Sequence, residues 1–203
     1  GKNIKGRVGS THPSTLQETV VAAGADIGIA LDGDADRLIV VDEKGRVVDG
    51  DQIMALLGTA LNRSGLLRGN GIVATVMSNL GLERYLLSQN LELVRAKVGD
   101  RYVLEALQQH NWLLGGEGSG HLLALDKHTT GDGLVSALQV LQACARSGQS
   151  LAQLLGGLVL FPQVLINVRL KPGQKWQDNP LLAGEQAAVT QELGSSGRVL
   201  IRP

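Results

Sequence analysis

At 203 residues the chain is long enough for one large or two small domains and for a substantial core. Lysine plus arginine and aspartate plus glutamate both number 19, so bulk charge points to neither a nucleic-acid nor a membrane partner. The single cysteine, Cys144, excludes an intrachain disulfide framework and fits a cytoplasmic setting. The most apolar stretch, residues 154–166, is short and broken by Gly156, Gly157 and Pro162, so no signal peptide or membrane span is expected. Because it starts at Gly1 without a methionine, the chain is expected to be a piece of a longer one.

Residues 1–12 are polar and without period, and His12 before Pro13 reads as a loop residue rather than a ligand. Ser14 is placed to cap a helix over 15–23, closed by Gly24. Two apolar runs, 27–31 and 38–41, read as buried strands, and a hairpin turn at 43–46 returns the chain through Val47-Val48. Asp49-Gly50-Asp51 opens a helix over 51–63; capping and the helix dipole account for both aspartates, which receive no chemistry. Strand and helix then alternate: strand 72–76, helix 80–88, strand 91–95, helix 100–109, strands 112–114 and 121–125, and a helix over 132–146 begun by Thr130 or Asp132. Cys144 lies on that helix as a packing residue.

This pattern predicts an α/β fold, with mixed or mostly parallel sheets sandwiched by helices and sites gathered at strand ends. Boundaries are expected near 48–51 and 148–160. The last segment differs in kind: an alternating strand at 164–170, a turn at Lys171-Pro172-Gly173-Gln174, a polar helix over 180–192 and a strand beginning at 197–202. It reads as the start of an α+β domain.

Between the first two strands lies Asp32-Gly33-Asp34-Ala35-Asp36-Arg37. Carboxylates at i, i+2 and i+4 turn the same way in an extended or looped backbone. Their mutual repulsion calls for a cation, and an all-oxygen set suits a hard ion such as Mg²⁺. Arg37 adds a fixed positive fork suited to phosphate. A solvated acidic turn is the plain alternative, but such turns rarely separate two strongly apolar strands. An EF-hand fits poorly, because Arg37 stands where the sharp turn needs glycine. A dehalogenase-type phosphohydrolase, with Asp32 as nucleophile, is the rival enzyme, although Asp36 stands where its pattern has Thr or Val.

Two further loops fall where sites belong. Lys97-Val98-Gly99-Asp100-Arg101 opens a helix, and two bases at a helix N-terminus can receive an anion; a helix capped by Asp100 with solvated bases explains the same residues equally well. Gly115-Gly116-Glu117-Gly118-Ser119-Gly120-His121 joins two strands and offers a carboxylate, a hydroxyl and an imidazole, groups able to bind sugar hydroxyls, with His121 also able to move a proton. A flexible structural turn is the plainer reading of it. His128-Thr129-Thr130-Gly131-Asp132-Gly133 is mainly a helix start.

In this order the four loops resemble those of the α-D-phosphohexomutase superfamily, and Gly9-Ser10-Thr11-His12 and Arg198-Val199-Leu200-Ile201-Arg202 agree with its flanks. Ala96-Lys97-Val98-Gly99-Asp100-Arg101-Tyr102-Val103 and Asp126-Lys127-His128-Thr129-Thr130-Gly131-Asp132-Gly133 look most like its bacterial glucosamine-phosphate branch, with its mannose- and glucose-phosphate branches as the alternative because the four loops contain no evident reader of a 2-amino group. The resemblance implies four domains in the intact enzyme, with residues 1–48 ending the second, 49–158 forming the third and 159–203 starting the fourth. It implies Mg²⁺ on Asp32, Asp34 and Asp36, sugar hydroxyls on Glu117, Ser119 and His121, and Arg37, Lys97 and Arg101 bordering the phosphoryl-transfer cleft. The implied reaction passes a phosphoryl group from a phosphoserine to a hexosamine phosphate and takes the other phosphate back from a bisphosphorylated sugar. No Ser-His-Asn-Pro-like serine loop occurs here, and the chain stops at Pro203, where a Ser-Gly-Thr-Glu-Pro-like phosphate loop would begin. The isolated piece is therefore expected to be inactive, and a non-catalytic sugar-phosphate or metal-binding fragment is the non-enzymatic alternative. A homodimer is compatible with the sequence, though no feature specifies one.

Overall fold

The structure is a computed structural model that describes residues 9–170, 176–177 and 179–202. The chain divides into two units, one running to Val159 and one from Leu160.

The first unit opens with α1 (Ser14–Ala23), closed by Gly24 in the left-handed conformation at φ 61°. Ser14 does not cap it. Pro13 is already in right-handed helical geometry and occupies the cap position without a side-chain bond, so Ser14 falls inside the first turn. β1 (Ile27–Leu31), β2 (Leu38–Asp42) and β3 (Val47–Val48) form an antiparallel sheet in that order. The acidic loop is therefore the turn of a hairpin whose last pair is Leu31↔Leu38. α2 (Gly50–Arg63) begins with a capping box between Asp49 and Gln52.

The second sheet is built from β4 (Gly71–Thr75), α3 (Leu80–Ser88), β5 (Glu92–Ala96), α4 (Asp100–His110), β6 (Leu114–Gly116) and β7 (Leu122–Ala124). Its order is β5-β4-β6-β7, with β4 parallel to both neighbours and β7 antiparallel to β6. The strand expected at 112–114 lies two residues later. Asn111, in the left-handed conformation, ends α4, and Trp112 N–H still donates to the Leu107 carbonyl at 2.9 Å, so the ladder starts at Leu114. Gly115 and Gly116 thus belong to the strand rather than to the loop. α5 (Gly133–Ser147) comes next, its start fixed by Asp132, which accepts from the Leu134 and Val135 amides. The short α6 (Leu151–Leu154) is capped by Ser150, itself hydrogen-bonded to Glu43.

Alternation along β4 separates the two sides of the sheet. Ile72 and Ala74 join Leu82, Leu86 and Ala137 from the helices α3 and α5 and several side chains of α2, whereas Val73 faces Val103 and Leu107 of α4 with Trp112 and Leu123. Leu38 and Val40 of the first sheet enter the former cluster, so the two sheets share one core. Each fully buried Leu or Ile contributes roughly 1.5–3 kcal/mol, and it is this shared burial that fixes the acidic hairpin against the second sheet.

In the second unit α7 (Pro180–Leu193) is capped by Asn179, with proline at the first helical position, and runs into a 3₁₀ turn at Gly194–Ser196. The strands expected at 164–170 and 197–202 do not form. A strand persists only on a paired ladder, and among the described residues no ladder reaches either segment; Val164, Ile166 and Val168 are strongly exposed. The turn expected at Lys171-Pro172-Gly173-Gln174 lies outside the described residues. Among the described residues no helix is long and apolar enough to cross a membrane.

Candidate active site

The turn between β1 and β2 does what the alternation of its carboxylates predicts. One oxygen from each of Asp32, Asp34 and Asp36 lies within 4.8 Å of the others. The loop is braced from within: the Asp32 carboxylate accepts the Arg37 amide at 3.1 Å, and the Asp32 carbonyl accepts the Ala35 amide at 3.3 Å. Ala35 holds a left-handed φ of 63°, which turns the chain between the second and third aspartates. The Arg37 guanidinium stands 3.8 Å from Asp32 and is half exposed, open to an incoming anion.

Three features show that these residues fit a hard cation. Asp36 Oδ1 is buried and has no hydrogen-bond partner among the described residues. Burial, with Asp32 alongside, pushes the Asp36 carboxyl above the usual carboxylate range, against the opposing effect of a bond from His121. The donors are all carboxylate oxygens, the set that Mg²⁺ takes.

The rest of the unit grips this loop from behind. The Gly133 amide at the start of α5 donates to the Ala35 carbonyl at 2.8 Å, and a Cβ on Gly133 would lie only 2.9 Å from that oxygen. The Leu38 amide donates to the Gly120 carbonyl at 3.0 Å, and Arg37 pairs with His121 in an antiparallel bridge. His121 Nδ1 lies 2.9 Å from Asp36 Oδ2. The structure therefore puts His121, expected among the sugar ligands, beneath the acidic loop with its side chain largely buried.

Residues 117–120 arch between β6 and β7. Glu117 accepts the Gly99 amide on one oxygen at 2.8 Å and the Ser119 hydroxyl on the other at 3.4 Å. The first of these bonds ties the loop to residues 97–101, where Gly99, not Asp100, is the cap residue of α4; Asp100 begins the helix and accepts the Arg101 amide. The two bases of that loop each have a partner on α4. Lys97 Nζ sits 5.6 Å from the Tyr102 ring centroid, and Arg101 pairs with Glu105 on its own helix at 2.8 Å.

Asp51 is the group that sequence reasoning passed over. Its side chain is buried; Oδ2 accepts the Asn79 amide at 2.7 Å, while Asn79 caps α3 through its own side chain. Oδ1 has no partner among the described residues, and the carboxylate lies 3.5 Å from where a Cβ on Gly118 would stand. Burial pushes its carboxyl up to about 6. Asp51 therefore ties the starts of α2 and α3 together directly below the Glu117 loop. An aspartate in the first turn of a helix is ordinary, so the sequence carried no separate signal for it.

Residues 49–160 match the α/β/α domain III of phosphoglucomutase/phosphomannomutase, and residues 9–45 match its domain II. The chain belongs to the phosphoglucomutase/phosphomannomutase family. Over its whole length it is 60% identical to the phosphoglucosamine mutase of Variovorax paradoxus, of which it spans 45%. A solved phosphoglucomutase/phosphomannomutase family protein from Burkholderia thailandensis is 31% identical, with a TM-score of 0.62 over 77% of this chain and 34% of that one. The fold is also that of Aspergillus fumigatus N-acetylphosphoglucosamine mutase, solved in complex with GlcNAc-6P and magnesium: TM-score 0.71, 20% identity, 92% of this chain and 48% of that one. The chain thus spans less than half the length of the curated relative that it matches. Within the family frame, the acidic hairpin falls in the domain II match and the Glu117 loop in the domain III match.

Proposed function

We propose that the protein carrying this chain is a cytoplasmic phosphoglucosamine mutase, an intramolecular phosphotransferase that interconverts glucosamine 6-phosphate and glucosamine 1-phosphate. The observation that carries this reading is the acidic triad, hydrogen-bonded through Asp36 to the last residue of the Glu117–His121 stretch. A site for a hard cation and a loop able to bind hydroxyls are thereby held in one unit, and the identity to a phosphoglucosamine mutase supports the choice of sugar. Residues 1–48, 49–158 and 159–203 are read as the end of the second domain, the third domain and the start of the fourth.

Asp32, Asp34 and Asp36 would hold Mg²⁺, which when bound offsets negative charge on phosphoryl oxygens. Glu117 and Ser119 take the sugar hydroxyls: the carboxylate accepts, the serine hydroxyl donates or accepts, and the Gly99 amide keeps Glu117 oriented. Arg37 receives a phosphate oxygen beside Asp32. Lys97 and Arg101 lend positive charge to the same cleft; both are exposed, and an exposed pair such as Arg101–Glu105 is readily exchanged for a phosphate. The phosphoryl carrier in this reading is a phosphoserine on another part of the protein. It gives its phosphoryl group to the sugar, the bisphosphorylated sugar turns over in the site, and the serine recovers the other phosphate.

Asp34→Ala tests the reading in the intact protein. It should lower Mg²⁺-dependent conversion of glucosamine 6-phosphate by about 1,000-fold, the several kcal/mol that a metal contributes to charge stabilisation. Unchanged turnover would remove the metal assignment. Release of inorganic phosphate instead of sugar isomerisation would replace the mutase by a phosphohydrolase acting through Asp32.

A further inference from the structure

His121 is expected from the resemblance to be a sugar ligand, and the structure gives its ring a partner within the protein. Nδ1 lies 2.9 Å from Asp36 Oδ2, and Nε2 is buried with no hydrogen-bond partner among the described residues. The ring is also immobilised. A Cβ on Gly131 would fall 2.4 Å from both Cε1 and Nε2, so the residue before Asp132 must be glycine for the ring to lie where it does. The backbone of His121 is paired with that of Arg37, next in sequence to Asp36, so ring and carboxylate are carried on two paired segments rather than on a mobile loop. An ionised carboxylate only accepts hydrogen bonds, which puts the proton on Nδ1.

We propose that His121 is a positioning residue of the cation site: its Nδ1–H occupies Asp36 Oδ2 and leaves the buried, unpartnered Oδ1 as the oxygen for the metal. A carboxylate with two equivalent oxygens can rotate; one with an oxygen engaged by a fixed imidazole is held to one orientation. Partners of this kind behind a metal ligand are worth roughly 10–100-fold in metal affinity. This inference rests on the reading of the triad as a cation site and is tested separately from it.

The experiment is Mn²⁺ titration of the protein, followed by electron paramagnetic resonance of the free ion, with circular dichroism to verify folding. Asp34→Ala should abolish binding. His121→Asn places an amide nitrogen near the position of Nδ1 and should bind Mn²⁺ within about threefold of wild type. His121→Gln carries its amide to the Nε2 position instead and should bind at least about tenfold more weakly, as should His121→Leu if it folds. If wild type binds Mn²⁺, Asp34→Ala does not, and the Gln variant matches wild type, the role of His121 is overturned while the triad stands. If wild type itself fails to bind, the triad reading falls and this inference with it.

Discussion

The tripeptide Asp-Gly-Asp occurs twice, at 32–34 and at 49–51, and the two copies do opposite things. In the first it turns a hairpin, the carboxylates converge, and Gly33 has open space where a side chain would go. In the second it starts α2, Asp49 makes the capping box, and Asp51 is buried. Gly50 there is pressed against the Glu117 carbonyl and the Gly120 amide. The residues on the C-terminal side of each copy decide the difference. Ala35-Asp36-Arg37 lead into a strand paired back on the one before, whereas Gln52-Ile53-Met54 supply a capping partner and the apolar face of a helix. In the first copy the three carboxylates stay close enough to share one ligand; in the second, Asp49 and Asp51 are each tied to a backbone amide.

The glycines give the largest separation between the two copies. A Cβ on Gly50 would lie 2.0 Å from the Glu117 carbonyl oxygen and 2.7 Å from the Gly120 amide nitrogen, both backbone atoms that cannot swing aside. Gly50→Ala should therefore cost about 3 kcal/mol, while Gly33→Ala, with nothing within 4 Å, should stay within about 0.5 kcal/mol. Urea unfolding of the two variants measures this directly, and equal midpoints would dissolve the contrast.

The aspartates come next. In the folded chain the Asp51 carboxyl is raised from 3.8 to about 6 by burial, so between those values the folded state holds more protons than the unfolded one. Stability from this group is therefore greatest in acid, falls as pH rises through the window and levels off above about 6. Asp51→Asn, which keeps an acceptor for the Asn79 amide and carries no charge, should raise stability at pH 7 by about 2 kcal/mol and at pH 4 by almost nothing. Unfolding curves at the two pH values settle it; a gain independent of pH would show that burial of the charge is not the cause.

The smallest effect belongs to the backbone of the first copy's turn. Ala35 holds a φ of 63° that costs a non-glycine residue about 1 kcal/mol. Ala35→Gly should recover about 0.5–1 kcal/mol in a thermal melt, the gain being trimmed by the added freedom of glycine in the unfolded chain. A loss of stability would mean that the methyl group packs rather than strains.

Features set by neighbours in sequence were the ones legible in it. The apolar runs flanking Asp32 became β1 and β2, Gly24 took the left-handed closure of α1, and Asp132 supplied the cap of α5. The three aspartates converged because they share one short hairpin turn, which Ala35 bends in the left-handed conformation. Where the deciding partner lies far along the chain, sequence reasoning had no purchase. His121 meets Asp36 across 85 positions, and Asp51 meets Asn79 across 28. The late start of β6 depended on Asn111 and Trp112 prolonging the end of α4. The alternation at 164–170 is a genuine strand pattern, but alternation supplies only a face, and a ladder needs a second chain segment.

The supports of the acidic hairpin have a consequence for the order in which the protein is made. Asp36 is engaged by His121 and Ala35 by Gly133, so the hairpin leaves the ribosome well before the residues that hold it. At roughly 5–20 residues per second, about a hundred residues of delay amount to some 5–20 seconds during which three carboxylates share a turn with nothing behind them. The shape of the turn is thereby completed late: its supports arrive with His121 and Gly133, and a nascent chain interrupted before them carries the acidic sequence without the grip that shapes it.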